Sequence, residues 1–333
     1  MRKNTYYSMV RLLSWLFFGF FLGAVIKDAI QYNSMLNSAP FYVFVLANIM
    51  KFLVPCAVFA GIAHIFKQKQ RNKISVPESN ESRLELLKKY AEYDRSKEEA
   101  YETEYHLGGE IPAVLERYGF YDYIKDVDTA SDEMVFQTLH FVCDHFGHDG
   151  SAGLTGTCDI TGLIEFCEQH DGKMNCRGLA MLLASLLRLF SVKARHITCM
   201  PYEDPFHDCH VVVDCLLPSG KRIMLDPTWR LYLKDAEGRY VSLERFRELL
   251  FREENVFANP EAAYNGNGFD KEYYRNYMTK NTVRFSRGTL CADGMDDNEA
   301  RRVELIPAYY PVKNFDYTVR KNFVYDDRMF WRM

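Results

Sequence analysis

Three residues far apart in the chain, Cys176, His210 and Asp226, have the types that thiol catalysis requires. In such catalysis a thiolate attacks a carbonyl carbon, an imidazole takes and returns the proton, and a carboxylate orients the imidazole and supports its charged form. Cys176 stands in DGKMNCRGLAMLLASLL, residues 171–187, between a glycine-bearing turn and an apolar run. Its position leaves two interpretations open, a core thiol and a nucleophile.

The residues after Cys176 predict a core helix that begins at the cysteine itself. Leucines recur there at helical spacing, the helix is expected to end near Phe190, and Asn175 is the expected N-cap. At the first residue of a helix, the unpaired backbone N–H groups and the positive end of the dipole favour a thiolate, and Arg177 adds positive charge. Because free cysteines are usually buried and inert, an unreactive core thiol remains the alternative.

A predicted hairpin brings the histidine and the aspartate together. His210 opens a β-branched run, a turn follows at residues 218–220, and a second strand returns over residues 221–226. Antiparallel pairing is expected to place His210 opposite Asp226 to within about one residue of register, with Cβ atoms about 5 Å apart. The aspartate can then fix one imidazole nitrogen and leave the other to face a thiol. The alternative is that both are surface groups.

Two hydrophobic blocks near the N-terminus predict a membrane anchor. They cover about residues 10–26 and 41–66, and the second contains Lys51 and Pro55. A helix of about 20 apolar residues crosses the hydrocarbon core of a bilayer. Basic residues precede the first block and follow the second, so the positive-inside rule places both ends in the cytoplasm. We therefore expect a multi-pass protein of the cell membrane, with two transmembrane helices and a cytoplasmic soluble domain.

A cleaved signal peptide is the alternative to the first membrane helix. It would end near Ala24 or Ala29, but no clean small-x-small cleavage site is present there. The chain has nine cysteines, an odd number without a CxxC pair, which disfavours a secreted disulfide framework and favours a reducing compartment.

The chain is expected to consist of four parts. They are a membrane anchor (1–73), a linker and helical lead-in (74–130), a catalytic core (131–250) and a C-terminal extension packed on the core (251–333). The lead-in is charged and helix-prone over residues 83–105, and the core is expected to open with a helix over residues 132–146. The extension contains short strand-like runs separated by turns.

Several kinds of binding site are disfavoured by the sequence. The net charge of −4 and the lack of a basic stripe speak against nucleic acid as a partner. The phosphate-loop patterns GxxxxGK[ST] and GxGxxG and the calcium-loop pattern DxDxDG are absent, and we expect no cofactor. Two histidine and cysteine clusters are candidate zinc sites: His207, Cys209, His210 and Cys215, and His140, Cys143, His145 and His148.

Neither cluster fits a zinc site well, and no metal is expected. Positions 209 and 210 of one strand point to opposite faces, which makes joint ligation awkward. On a helix, His140 and Cys143 share a face but His145 does not. We interpret the second cluster, including His148, as core and surface histidines.

The order Cys, His, Asp in these sequence surroundings resembles the transglutaminase-like superfamily. NCRGLAMLLASLLRLFSVKAR is similar to the family's cysteine helix, which leads to a strand ending in Ala-Arg. CHVVVDCLLPSGKRIMLDPTW is similar to its histidine strand followed by a strand ending in Asp-Pro-Thr. The match covers roughly residues 130–250. It departs from the family pattern at Met174, where a Gly is frequent, and at Val212, where a Trp is frequent.

The resemblance implies an α+β fold with a papain-like core, in which helices pack on an antiparallel sheet. The N-terminal transmembrane hairpin precedes this core in the chain. It also implies a catalytic triad of Cys176, His210 and Asp226. The Cys176 backbone N–H is one candidate oxyanion donor, and the side chains of Asn175 and Gln169 are others. Trp229 is a further candidate for a supporting role.

The expected activity is acyl transfer on protein or peptide amides through a Cys thioester. Water as the acceptor gives a peptidase or amidase, towards which we incline, and an amine as the acceptor gives a transglutaminase-type cross-linker. The expected partners are the protein or peptide substrate and the bilayer, which is contacted through residues 10–66. The alternative is an inactive, membrane-tethered domain of the same fold that acts in binding or scaffolding.

Overall fold

The computed structural model describes residues 27, 79–96, 102–202, 208–296, 298–311 and 322–333. Its helices are α1 (Asn80–Lys89), α2 (Phe120–Ile124), α3 (Asp132–His145), α4 (Ile160–Glu168), α5 (Cys176–Leu189), α6 (Leu243–Phe251), α7 (Lys271–Asn281) and α8 (Asp327–Trp331). Two 3₁₀ turns span Ala113–Tyr118 and Glu299–Arg301. The strands are β1 (Glu104–Tyr105), β2 (Gly147–His148), β3 (Lys173–Met174), β4 (Ala194–Met200), β5 (His210–Leu216), β6 (Arg222–Asp226), β7 (Leu231–Lys234), β8 (Phe257–Ala258), β9 (Ala263–Tyr264), β10 (Asn267–Gly268), β11 (Arg284–Gly288), β12 (Leu290–Cys291), β13 (Arg302–Leu305) and β14 (Asn322–Val324).

An eight-stranded sheet carries most of the architecture, so the α+β class is confirmed. The strand order is β14-β13-β11-β4-β5-β6-β7-β8. The neighbours pair antiparallel except β13 and β14, which are parallel. Three short two-stranded pairs, β1-β12, β9-β10 and β2-β3, lie outside this sheet.

Apolar clusters cover both faces of the central strands. In β5, Val211 and Val213 belong to the cluster that includes the α5 leucines, while Val212 between them belongs to the cluster that includes α6 and α7. Successive side chains of a strand point to opposite faces, so a strand covered on both sides reads as a continuous apolar run. This explains why HVVVDCL lacks the polar alternation of a half-exposed strand.

Helix α5 begins and ends where the sequence predicts. Cys176 is its first residue, and the Asn175 side chain accepts a hydrogen bond from the Gly178 N–H at 2.9 Å. The helix packs on β4 and β5, and almost every residue after the first turn is buried. An Ncap oxygen satisfies one of the four orphan N–H groups of a helix start, so this cap fixes the point at which the cysteine enters the helix.

The β5–β6 hairpin forms, but its register differs from the predicted one. Val213 pairs with Leu225, and continuing this ladder places Asp226 level with Val212. His210 and Asp226 are therefore diagonal neighbours displaced by two residues, and the expectation of directly opposed residues was wrong. Since side chains alternate with a period of two, a shift of two residues keeps both groups on the same face, whereas a shift of one would have separated them.

One predicted helix is shorter in the structure than the sequence indicates. The charged helix predicted over residues 83–105 is shorter, because α1 ends at Lys89 and residues 104–105 form a strand. Arg247 binds the carbonyl oxygens of Tyr90 and Ala91 just beyond the helix end, at 2.8 Å for Ala91. A guanidinium that satisfies these carbonyls removes the need for a further helical turn.

The segment after residue 250 contributes strands to the main sheet itself. Strand β11 pairs directly with β4, and β13 and β14 extend the sheet outward from there. Residues 76–333 form one compact unit by their contacts. The C-terminal residues are thus part of the scaffold that holds β4 and β5.

The two hydrophobic blocks at about residues 10–26 and 41–66 lie outside the described residues. Within the part of the chain that the structure describes, no helix combines the length and apolar character needed to cross a membrane.

Candidate active site

His210 and Asp226 form a buried ion pair at the edge of the β5–β6 hairpin. The His210 Nε2 lies 2.6 Å from the Asp226 Oδ2, and the two residues are 2% and 0% exposed. Asp226 also accepts hydrogen bonds from the Thr228 N–H at 3.0 Å and from the Tyr274 hydroxyl at 2.8 Å. A buried carboxylate must be satisfied in this way, and the contacts fix the position of the oxygen that holds the imidazole.

The Nδ1 of His210 is the nitrogen that can interact with the Cys176 thiol, because Nε2 binds Asp226. Burial lowers the pKa of His210, but the charge and hydrogen bond of Asp226 and the interaction with Cys176 outweigh it and raise this pKa to about 10. The imidazole is therefore held in its charged form at neutral pH.

The thiol of Cys176 is shifted in the opposite direction. Burial raises its pKa, but hydrogen bonds with His148 and His210 and the charges of these imidazoles outweigh burial and bring the pKa to about 6. A depressed thiol pKa beside a raised histidine pKa is the pattern of a thiolate–imidazolium pair. The pair titrates as a unit, so its two macroscopic pKa values belong to both groups together.

Other cysteines of the described residues show the reverse shift. Burial raises the pKa of Cys167 to about 12 and raises those of Cys199, Cys209 and Cys215 above the ordinary value. Cys209 directly precedes His210 in the chain and is, like Cys176, partly exposed. The depressed pKa of Cys176 therefore comes from its own surroundings.

A cavity of about 480 Å³ opens beside the two histidines. His148 and His210 line one side, and aromatic side chains line much of the rest: Trp229, Tyr264, Tyr273 and Tyr277. The Trp229 ring packs against Tyr264 at 4.8 Å and against Tyr274 at 5.7 Å between centroids. Trp229 is therefore placed in the wall of this cavity, next to the histidines.

Asn175 and Gln169 are placed differently from one another and from Trp229. Besides capping α5, Asn175 donates its two amide hydrogens to the carbonyl oxygens of Ala152 at 2.8 Å and Gly153 at 3.1 Å. Its side chain is thereby committed to holding the loop before the helix. Gln169 is the C-cap residue of α4, and its side chain is exposed.

His148 lies close to Cys176, a proximity that the sequence interpretation of it as a core or surface histidine did not include. Strand β2 pairs in parallel with β3, which places His148 level with Met174, two residues before Cys176. The His148 side chain lines the same cavity as His210, and its interaction with Cys176 helps to lower the pKa of that thiol. Strands of two residues have no periodicity from which this pairing could have been read.

Within the described ranges, no group of three or more His, Cys, Asp and Glu side chains is arranged to hold a metal ion. His207, one member of the first cluster considered for zinc, lies outside those ranges.

Removing the hydroxyl of Tyr274 is expected to destabilise the protein. Tyr274 is 2% exposed, and its hydroxyl donates to the buried Asp226 carboxylate. Because hydrogen bonds to charged groups contribute about 1.5–3 kcal/mol, Tyr274→Phe should lower the free energy of unfolding by about that amount. The measurement is urea unfolding of both proteins followed by circular dichroism.

Tyr273→Phe is the matched control for this measurement, because Tyr273 is the preceding residue on α7 and is 55% exposed. It should change the free energy of unfolding by less than about 0.5 kcal/mol. Equal effects of the two substitutions would contradict the assignment of the Tyr274 hydroxyl to the support of Asp226.

Comparison with known proteins gives one structural neighbour to report. The chain matches no model of a known protein family and no curated protein sequence. It is similar to the crystal structure of a presumed protease from Parabacteroides distasonis, with 12% identity and a TM-score of 0.26. The similarity covers 50% of this chain and 31% of that protein, so the matched part spans less than a third of the neighbour's length. At this TM-score the likeness does not establish a common fold or function.

Proposed function

We propose that the protein is a thiol-dependent acyl-transfer enzyme with Cys176 as nucleophile, His210 as acid and base, and Asp226 as the carboxylate that orients His210. The observation that carries the proposal is the buried His210–Asp226 pair at 2.6 Å beside a thiol with a pKa near 6. Structural thiols in apolar surroundings have raised pKa values, whereas catalytic thiols sit next to a positive charge.

The reaction would proceed through a thioester. The Cys176 thiolate attacks the carbonyl carbon of an amide, and the carbonyl oxygen takes the negative charge. The His210 imidazolium gives its proton to the departing amine as the C–N bond breaks. His210, now neutral, then takes a proton from the incoming water, which cleaves the thioester, releases a carboxylic acid and leaves Cys176 as the thiolate beside the imidazolium. These steps hydrolyse the amide with water as the only co-reactant and require no cofactor.

The core would then be a transglutaminase-like one. Support comes from the arrangement of three elements in chain order: α5 starting at the cysteine, β5 starting at the histidine and β6 ending at the aspartate. The substrate would be a peptide or protein amide bound in the aromatic cavity, where aromatic walls bury apolar groups next to the histidines. The two-helix membrane anchor and the cytoplasmic placement of this domain remain predictions from the sequence.

An ester that acylates thiols generally tests the proposal without knowledge of the natural substrate. The full chain, purified in detergent, should release p-nitrophenol from p-nitrophenyl acetate in a burst of one equivalent, and intact-mass analysis should show one acetyl group on Cys176. A mass gain that appears equally on other cysteines, or no gain at all, would contradict catalysis and leave the binding or scaffolding alternative.

A further inference from the structure

We propose that His148 is the side-chain oxyanion donor of this site, giving a hydrogen bond from Nε2–H to the carbonyl oxygen of the substrate as that oxygen becomes negative. The inference rests on the proposed acyl transfer and assigns a second imidazole a role distinct from that of His210. The position of His148 rests on geometry: β2 pairs with β3 two residues before Cys176, and the His148 ring lines the same cavity as His210.

The backbone of His148 is held from two sides. Strand β3 pairs with β2 and sets the His148 position relative to the nucleophile. On the other side, the Asn265 side chain accepts from the His148 N–H at 2.8 Å and donates to the His148 carbonyl at 2.9 Å. Asn265 and Gly266 form the two-residue turn between β9 and β10, with φ angles of 48° and 77°. Asn-Gly is the preferred pair for such a turn, so the sequence specifies the conformation that presents the Asn265 amide.

The ring of His148 is held as well. Its Nδ1 lies 3.0 Å from the Tyr264 hydroxyl, and the two rings meet edge to face at 5.6 Å between centroids. Burial raises the pKa of Tyr264, so its hydroxyl stays protonated and can donate to Nδ1. A neutral imidazole that accepts at Nδ1 carries its hydrogen at Nε2, and we assign this tautomer from the hydrogen-bond network. The hydrogen-bearing nitrogen is then left for the thiol and the substrate.

The partners of the two imidazoles separate their roles. His210 is bound by a buried carboxylate, which favours the charged, proton-carrying form. His148 is bound by a neutral hydroxyl, which provides no charge to support an imidazolium. An imidazole that a hydroxyl orients, with a hydrogen on its other nitrogen, is suited to donate to a carbonyl oxygen, and one paired with a carboxylate is suited to shuttle a proton.

The competing side-chain donors are less suitable. The amide hydrogens of Asn175 are bound to the Ala152 and Gly153 carbonyls, and Gln169 is exposed at the end of α4. The Cys176 backbone N–H, in the first turn of α5, remains as the second donor. Two hydrogen-bond donors are the usual composition of an oxyanion hole.

Two reactions of the same thiol distinguish an oxyanion donor from a group that only stabilises the thiolate. Acylation by p-nitrophenyl acetate passes through an oxyanion, whereas alkylation by iodoacetamide displaces iodide and forms none. Both rates are measured on the full chain over a pH range, and each rate is divided by the fraction of Cys176 that is ionised at that pH. Loss of one oxyanion donor costs about 10²–10³-fold in rate, so His148→Ala should slow acylation by about that factor and leave alkylation per thiolate within about twofold.

Two further variants keep the test decisive if His148→Ala folds poorly. His148→Gln retains an N–H donor and should recover at least about tenfold of the lost acylation rate. Tyr264→Phe keeps the ring packed against Trp229 but removes the hydrogen bond to Nδ1. It should slow acylation by about fivefold without slowing alkylation, as expected for the loss of a hydrogen bond worth about 1 kcal/mol.

The outcomes separate the two proposals. If acylation and alkylation of His148→Ala fall by the same factor, or if neither falls, His148 is not the oxyanion donor while acyl transfer by Cys176 stands. If the wild-type chain is never acylated at Cys176, the proposed function fails and the role of His148 fails with it.

Discussion

Cys176→Ala is expected to abolish acylation of the protein by p-nitrophenyl acetate, with the rate falling by at least about 10⁴-fold to the level of the uncatalysed ester. The substitution removes the Cys176 thiol, whose pKa is near 6, whereas burial raises the pKa values of Cys167, Cys199 and Cys215. Stopped-flow release of p-nitrophenol together with intact-mass analysis measures both the rate and the modified site.

Cys209→Ala is the matched control for this substitution. Cys209 is also partly exposed and adjoins His210, but burial raises its pKa. Its replacement should leave the burst amplitude at one equivalent and the acylation rate within about threefold of wild type, as for a residue without a role in the reaction. A burst that persists in Cys176→Ala and disappears in Cys209→Ala would show that the nucleophile has been misassigned.

His210→Ala is expected to slow the same acylation at pH 7 by about 10²–10⁴-fold, the range for loss of a general acid–base group. Without the imidazolium, burial is opposed only by His148, and the pKa of Cys176 should rise from about 6 towards or above the ordinary thiol value. At pH 7 the Cys176 thiol is therefore mostly ionised in the wild-type protein and mostly protonated in the variant. Acylation measured from pH 5 to pH 10 should therefore recover partly at high pH.

His170→Ala provides the control for that profile, because His170 is exposed at the end of α4 and stacks on Phe166. Its pH profile should coincide with that of wild type. A His210→Ala protein with the wild-type profile would mean that the imidazole beside Asp226 does not set the charge of the thiol.

The residues that form the proposed triad were predictable because each depends on local sequence. The α5 helix follows from leucine spacing and an Asn cap, and the β5–β6 hairpin follows from its turn residues and the Pro at position 227. The register was displaced by two residues, since turn composition fixes a hairpin less tightly than the pairing of its flanking strands does. The predicted and observed registers differ by an even number of residues, so both place His210 and Asp226 on the same face of the sheet.

The supporting groups were not predictable because they come from distant segments. Tyr274, Tyr264 and Asn265 belong to the C-terminal part of the chain, and they reach Asp226 and His148 through α7 and the β9–β10 turn. Hydrogen bonds across more than 40 residues leave no periodic trace in the sequence. The same holds for β11, which pairs with β4 although 86 residues separate Phe285 from its partner Cys199.

The central claim is that folding turns Cys176 into a thiolate beside an imidazolium, and the pH dependence of its alkylation tests this most directly. The full chain is treated briefly with iodoacetamide at each pH, and peptide mass spectrometry quantifies every cysteine separately. We predict a midpoint near 6 for Cys176, a plateau to about pH 10, and less labelling of Cys209 than of Cys176 throughout this plateau, because burial raises the pKa of Cys209. A Cys176 midpoint at the ordinary thiol value of about 8.5 or above would contradict the account.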